Sequence, residues 1–252
     1  MHHRFYVNQE LHVGEAFIDS LQISHQLTKV LRIRPGETVI FFNGMGGDFL
    51  SEIVFYTKEG VRALIKEELP NRRELPMRII LHHALIKKDM TELVLQKGTE
   101  IGISEFRPCI TERSIRKEFH LERARKIVRE ATEQSGRSVL PLLFEPCSFE
   151  DSLRAFNASE SGILFHPSAR RAEFSDIASL IKKSERAVHI FLGPEGGFTD
   201  VEIAGAESSG IHIASLFQTT LRAETAGIVF PALLSAYALL MVSHPLSARK
   251  KK

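Results

Sequence analysis

The sequence predicts an α/β ligand-binding domain preceded by a smaller, mostly β domain, and three observations carry that prediction. Short strand-like runs with one short helix among them fill the first 70 residues. A polar, proline-bracketed stretch, residues 67–76, separates them from a region where strands and helices alternate. Within that region, residues 188–202 read as buried strand, glycine turn and capped helix, the arrangement in which α/β proteins hold ligands.

In the first part, residues 4–7, 38–42, 49–56 and 61–66 are rich in β-branched and aromatic side chains. Asn43-Gly44-Met45-Gly46-Gly47-Asp48 lies between two of these runs as a hairpin-type turn. Residues 19–34 include a short helix with Leu27, Val30 and Leu31 on one side. So many strands in so short a stretch predict a small barrel. Arg4, Lys29, Arg32 and Arg34 then form either a patch facing phosphates or an ordinary solvated basic edge.

Beyond the break, residues 78–84 predict a strand and 90–101 a helix, with Met90, Leu93, Val94 and Ile101 on one stripe. Lys97 falls on that stripe. It either snorkels past the apolar surface or pairs with Glu100 beside a site. Residues 106–110 read as the next strand. The segment 113–137 carries an excess of basic over acidic residues. Leu121, Ala124, Val128 and Ala131 form its core-facing stripe, leaving Arg123, Lys126 and Arg129 outward as a solvated face or an RNA-backbone contact. Residues 162–166 make another strand, flanked by helices near Asp151 and Asp176, and ending in His166-Pro167-Ser168. An imidazole there titrates near neutral pH and suits a general base, or simply lines a pocket.

The run 188–192 is apolar and branched, as in a strand buried on both faces. Gly193, Gly196 and Gly197 then free the backbone for a close approach, and Pro194 stiffens the turn between them. Thr199-Asp200-Val201-Glu202 has the spacing of a capping box. Neither Gly-x-Gly-x-x-Gly nor a following Gly-Lys-Ser/Thr is present, so no phosphate-binding fingerprint is met. Glu195 would repel a polyphosphate; it suits ribose hydroxyls or a cationic group. The bland alternative is a tight turn without a ligand. A second strand, 211–216, opens into Phe217-Gln218-Thr219-Thr220-Leu221-Arg222-Ala223-Glu224-Thr225-Ala226. The last helix, 224–241, is apolar nearly all round, which requires burial and suggests a subunit interface.

Composition sets the bounds. A chain of 252 residues with 43% hydrophobic and 25% charged residues supports one large domain, or a small one and a medium one, with an ordinary packed core. A net charge of +2 permits a nucleic-acid partner without demanding one. Cys109 and Cys147 lie far apart and match no metal-binding spacing, so no metal is expected and a reducing compartment is. The start of the chain lacks the apolar core of a signal peptide, and the longest apolar run, 228–241, is short for a bilayer. A soluble intracellular protein without a membrane partner is expected.

The pair Gly193-Pro194-Glu195-Gly196-Gly197-Phe198 and Leu221-Arg222-Ala223-Glu224-Thr225-Ala226, in this order and spacing, resembles the bacterial 16S ribosomal RNA uracil-N3 methyltransferase family. That family is a branch of the SPOUT methyltransferases. The resemblance extends to Met-His-His-Arg-Phe-Tyr-Val at the start, to residues 25–32, to Gln96-Lys97-Gly98-Thr99-Glu100-Ile101-Gly102, and to Glu130-Ala131-Thr132-Glu133-Gln134-Ser135. One departure stands out. The family usually has Leu-Gly-x-Arg-Ile-Leu-Arg where this chain has Leu216-Phe217-Gln218-Thr219-Thr220-Leu221-Arg222.

The resemblance implies an α/β SPOUT trefoil-knot methyltransferase domain over 76–245, preceded by a small β-barrel PUA-like RNA-binding domain over 1–70. A linker at 71–75 and a basic tail at 246–252 complete the chain. It implies S-adenosylmethionine as cofactor, held by Leu192, Gly193, Pro194, Glu195, Gly196 and Gly197 of the first loop. Leu216, Leu221, Ala223, Glu224 and Ala226 of the second loop, with Leu164, Phe165 and His166, would form the other walls. Methylation of uracil N3 requires a cation near the developing anion, and Arg222 is the first choice ahead of Lys97. Arg4, Lys29, Arg32, Arg34, Lys97 and Arg113 are the expected RNA-binding residues. The implied partners are 16S rRNA of the small ribosomal subunit and a second copy through the C-terminal helix, in the cytoplasm. A SPOUT methyltransferase for another RNA position and a non-enzymatic RNA-binding module are the competing readings.

Overall fold

A computed structural model of the chain describes residues 2–70, 73–116, 118–167, 169, 176, 179 and 187–243. Most of the expected linker's polar centre (residues 71 and 72), most of the helix expected near Asp176, and the basic tail 246–252 lie outside them. The chain divides into two compact units: Met1–Glu74 with Arg129–Leu140, and Leu75–Val128 with Pro141–Lys252.

The first unit is a five-stranded sheet. Its strands are β1 (Arg4–Tyr6), β2 (Gly14–Ile18), β3 (Thr38–Phe42), β4 (Gly47–Tyr56) and β5 (Val61–Pro70), in the order β1-β3-β4-β5-β2. The β1–β3 pair is parallel and the rest are antiparallel. Alternation is plainest in β5, where Val61, Ala63 and Ile65 are buried while Arg62, Leu64 and Lys66 face out. The buried set meets Phe5, Ile18, Val39, Phe41 and Phe49 in one core. Each fully buried Val, Ile or Phe among them contributes about 1.5–3 kcal/mol.

Helix α1 (Leu21–His25) starts at Ser20, whose hydroxyl accepts from the Ile23 amide at 3.3 Å, and continues as a π-helical turn, Gln26–Val30. That wider turn rotates the face. Leu27 is fully buried, but Val30 is 64% exposed rather than sharing the expected side. Arg32 ends the turn in the left-handed region, at φ 57°, with the Ile33 amide donating to the Leu27 carbonyl.

Arg4, expected in a phosphate-facing patch, has its side chain buried and paired instead. Its side chain is 7% exposed and its guanidinium forks onto the Asp48 carboxylate, with a further bond to the Arg137 carbonyl at 2.9 Å. The Ser138 hydroxyl donates to the same carboxylate. Residues 129–140 are thereby fastened to the sheet. Glu133 accepts from the Tyr6 amide at 2.9 Å, and Arg137 pairs with Glu74 at 2.7 Å. The basic segment 113–137 thus ends in a buried arginine, Arg137.

The second unit is a sheet with every pairing parallel. Its strands are β6 (Arg78–Ala84), β7 (Glu105–Ile110), β8 (Leu142–Leu143), β9 (Cys147–Ser148), β10 (Ser161–Phe165), β11 (Ala187–Leu192) and β12 (His212–Ala214). The order is β12-β10-β11-β6-β7-β8, with β9 also on β7. β10 and β11 are buried at every position, as strands covered on both faces must be. Cys109 and Cys147, distant in sequence, are register partners across β7 and β9.

Among the described residues the further helices are α2 (Lys88–Ile101), α3 (Leu121–Ser135, which runs on into the first unit), α4 (Phe149–Arg154), α5 (Asp200–Ser208) and α6 (Ala223–Ser243). α2 buries Val94 of the expected stripe together with Leu95, Gly98 and Thr99, while Met90, Leu93 and Ile101 are half-buried; α6 packs on this helix as well as the sheet. A Cβ on Gly98 would stand 2.6 Å from Ile103 and 2.8 Å from Phe106, so the close helix–sheet approach requires glycine. By length and composition, Ala223–Leu240 of α6 is apolar enough to cross a membrane, unlike the shorter run read from sequence. Here it packs on α2, β6 and β11.

A hydrogen-bonded chain runs through the core of this unit. Ser152 Oγ stands 2.6 Å from His82 Nδ1, His82 Nε2 2.9 Å from His189 Nδ1, and His189 Nε2 2.7 Å from Glu160. With both imidazoles neutral and Glu160 ionised, one wiring satisfies all three: the Ser152 hydroxyl donates to His82, His82 to His189, and His189 to Glu160. Burial holds both below the ordinary histidine range, and for His82 the neighbouring His189 and Arg107 add to the effect.

Two outcomes follow from these buried groups. Asp48→Ala leaves the Arg4 charge unpaired, and urea unfolding should show a loss of about 3–5 kcal/mol; an unchanged midpoint would contradict the pairing. Below about pH 6.5 the unfolded chain takes up protons that His82 and His189 refuse, so stability falls as pH falls. The slope of unfolding free energy between pH 7 and 5 should be shallower in His82→Gln than in the parent chain. Equal slopes would contradict the assignment.

Candidate active site

The parallel register sets the site. Phe165 is partnered with Leu192 on one side and Ala214 on the other, so β10, β11 and β12 end at the same level. The residues that follow, His166, Gly193 and Ser215, emerge side by side. The loops they begin, with the starts of α2 and α6, enclose a cavity of about 820 Å³.

The first wall is the glycine loop. The Gly197 amide donates to the Pro194 carbonyl at 2.9 Å, and Gly197 takes φ 69°, a conformation that favours glycine. Thr199 then caps α5 with the expected box: its amide donates to Glu202 at 2.8 Å and its hydroxyl accepts from the Glu202 amide at 3.3 Å. Arg113 holds the loop from outside, donating to the carbonyls of Gly196 at 2.9 Å and Phe198 at 3.3 Å. The structure thus places this expected RNA-facing cation against the loop backbone. Glu195 stays exposed on the loop, facing the cavity.

The second wall follows β12. Phe217, where the related pattern has glycine, sits 5.7 Å from the Phe230 ring of α6, and Phe230 stacks on Phe165 at 3.7 Å and 7°. The departure therefore completes an aromatic group along the cavity. Arg222 and Glu224 follow at the start of α6, with the Arg222 carbonyl accepting from the Ala226 amide at 2.9 Å. Behind them His83 is buried, its ring nitrogens 2.6 Å from the Ala84 carbonyl and 3.4 Å from that of Ala223. Burial lowers its pKa, against the carbonyl contacts and the Glu195 and Glu224 charges.

The third wall is Phe165, His166 and Pro167. Burial, with the Arg113 charge, lowers the His166 pKa, while Asp200 opposes it. That direction favours the neutral ring over the cation at this wall.

Most of the expected cofactor-facing residues line this cavity: Phe165, His166, Leu192, the loop from Gly193 to Gly197, Leu221, Ala223, Glu224 and Ala226, together with Arg222. Leu164 and Leu216 are not among its lining; Leu164 is fully buried in the core beneath. Lys97 is also absent from it and pairs with Glu100 at 2.9 Å. Lys29, Arg32 and Arg34 are exposed in the first unit. Sequence reasoning missed Lys87, Met90 and Phe230, which reach the cavity from α2 and α6. Periodicity assigned Met90 and Phe230 to the core, and nothing local marks Lys87.

Chemically the cavity joins apolar and aromatic surface to two carboxylates, one arginine, one lysine and the backbone of two loops. That mixture fits an adenosyl group bearing a cationic sulfur: rings for the base, carboxylates for ribose hydroxyls or the positive charge. Among the described residues no three His, Cys, Asp or Glu side chains are grouped to hold a metal.

Residues 73–235 match the RNA methyltransferase domain family, and residues 22–66 match the RNA methyltransferase PUA domain. The chain is 30% identical to ribosomal RNA small subunit methyltransferase E of Bacillus subtilis, over 94% of this chain and 93% of that one. Its fold is similar to the crystal structure of a ribosomal RNA small subunit methyltransferase E from Neisseria gonorrhoeae bound to S-adenosyl methionine. That likeness has TM-score 0.84 and 28% identity, and covers 96% and 98% of the two chains. A putative methyltransferase from Legionella pneumophila in complex with the same cofactor gives TM-score 0.81 at 29% identity, over 96% and 98%. On these matches, which span both the cavity-bearing unit and the sheet before it, the chain belongs to the RNA methyltransferase family that contains the ribosomal RNA small subunit methyltransferase E proteins.

Proposed function

We propose that the protein transfers a methyl group from S-adenosylmethionine to N3 of a uridine in 16S rRNA of the small ribosomal subunit. One observation carries this reading: a single cavity gathers the ends of three parallel strands, two carboxylates and an arginine, in a chain of the RNA methyltransferase family. The cofactor, when bound, supplies an electrophilic methyl on a sulfonium. The two loops hold its adenosyl part, with the Phe217 and Phe230 rings at its side and Glu195 or Glu224 at its hydroxyls.

Uracil N3 carries a proton that must leave as the new N–C bond forms. Glu195 and Glu224 are the carboxylates in the cavity that can take it, directly or through water. The charge developing over the uracil oxygens is stabilised by Arg222, and alignment of nitrogen, methyl and sulfur supplies much of the remainder. The base must first be swung out of any stack to reach the cavity.

The same reading extends to the architecture. The first unit's sheet acts as a PUA-like barrel over 1–70, joined at 71–75 to a knotted domain over 76–245, with 246–252 as a basic tail. The strand order, with β12 beyond β10 rather than beside β11, accommodates such a knot. The protein works as a homodimer through α6, whose Leu239 and Leu240 remain 52% and 60% exposed. Lys29, Arg32 and Arg34 face the RNA phosphates. An enzyme on this substrate acts in the cytoplasm, where ribosomal RNA is assembled.

Mass spectrometry of 16S rRNA treated with protein and cofactor should show one new N3-methyluridine; a methyl at another position would favour the competing reading of a different RNA target. Arg222→Ala should slow single-turnover methylation about 10²–10³-fold while calorimetry shows unchanged cofactor affinity. A near-normal single-turnover rate would remove Arg222 from the mechanism.

A further inference from the structure

A second cavity, of about 430 Å³, adjoins the first and shares Lys87 and Glu195 with it. Its other walls include Lys88 and Asp89 at the start of α2 and Ile115 and Arg116 in the loop after β7. Three cations therefore face two carboxylates. Arg123, held in its charged form chiefly by its bond to Glu92, also feels the charge of one of them, Asp89. Helix α2 starts here without a side-chain cap.

The loop that carries Ile115 and Arg116 is built, not slack. The Thr111 amide donates to Ser114 Oγ at 3.1 Å, the two hydroxyls are 2.9 Å apart, and the Ser114 amide returns to the Thr111 carbonyl at 3.1 Å. Arg113, between them, is bonded to the glycine loop. The two loops flanking the shared Glu195 are thus fixed to one another. Ile115 is 86% exposed, an apolar side chain held out beside lysines and an arginine.

We propose that this second cavity seats the sugar–phosphate of the target nucleotide and its neighbour, so that the base turns past Glu195 into the methyl site. Lys88 and Arg116 meet the phosphates, Lys87 stands at the junction of the two cavities, and Ile115 gives a flanking base an apolar surface in place of its lost stacking partner. A single-stranded RNA segment supplies what this surface asks for: closely spaced anions interleaved with flat apolar rings. An acidic peptide would match the cations but has no use for the exposed isoleucine beside a cofactor cavity. The inference rests on the methyltransferase reading and adds to it the path by which the substrate enters.

The test uses the full-length protein with Lys88→Ala and Arg116→Ala combined, measured against small-subunit rRNA at several salt concentrations. We expect RNA affinity to fall roughly tenfold and the slope of log affinity against log salt to shrink by about 1.4, the share of two single-strand phosphates. Cofactor affinity by calorimetry and thermal midpoint should not change, and Lys88→Arg with Arg116→Lys should restore the slope. Ile115→Ala should raise KM for RNA without changing cofactor affinity. An unchanged slope and KM while the parent protein methylates normally would overturn this assignment alone. A parent protein that binds cofactor yet leaves rRNA unmethylated would overturn the methyltransferase reading, and this one with it. Altered sedimentation with unchanged RNA affinity would mean that a second copy covers the cavity, which also overturns the assignment.

Discussion

Parallel pairing at equal register is the constraint from which the site follows. Because Phe165, Leu192 and Ala214 lie abreast, three chain segments distant in sequence leave the sheet at one edge and at one height. A shift of one residue in any of these strands would turn its side chains over and displace its loop. Complete burial of β10 and β11 opposes such a slip, since both faces are packed. The cavity thus takes its shape from backbone hydrogen bonding, and its chemistry from what the loops carry.

The cavity's walls support one another. Arg113 ties the glycine loop to the loop after β7, Phe217 leans on α6 through Phe230, and α6 presses on α2. Glycine is needed where these pieces come closest. At Gly227 a Cβ would stand 2.9 Å from Val94 and 3.0 Å from the His83 ring, so α6 lies against α2 and β6 with no room for a side chain there. Preorganisation of this kind is how an electrostatic site acts without rearranging during the reaction. In the first unit the buried Arg4–Asp48 pair has the same organising role, fixing residues 129–140 against β1 and the β3–β4 turn.

The most legible parts of the sequence were those with local grammar. The glycine loop and the Thr199–Glu202 box are set by spacing alone, and both stand in the structure as expected. Strand β11 was marked by its apolar run. What escaped depends on contacts between distant segments. Arg4 reads as a surface cation until Asp48 and Ser138, far along the chain, are brought to it. Val30 reads as core until a π-helical turn rotates it outward. His82 and His189 look like ordinary strand residues, and only the β6–β11 pairing joins them into one chain with Ser152 and Glu160. Lys87 has no neighbour in sequence that hints at the cavity it lines. Phe217 looked like a defect in a pattern, yet its ring packs beside that of Phe230 along the cavity.

The central claim is that the loops after β10, β11 and β12 together form one cofactor pocket. Amide hydrogen exchange with and without S-adenosylmethionine tests it most directly. The account predicts slower exchange in the loops at 193–198 and 215–224, with residues 14–66 unaffected. Protection confined to those earlier residues, or none in the two loops at saturating cofactor, would contradict it.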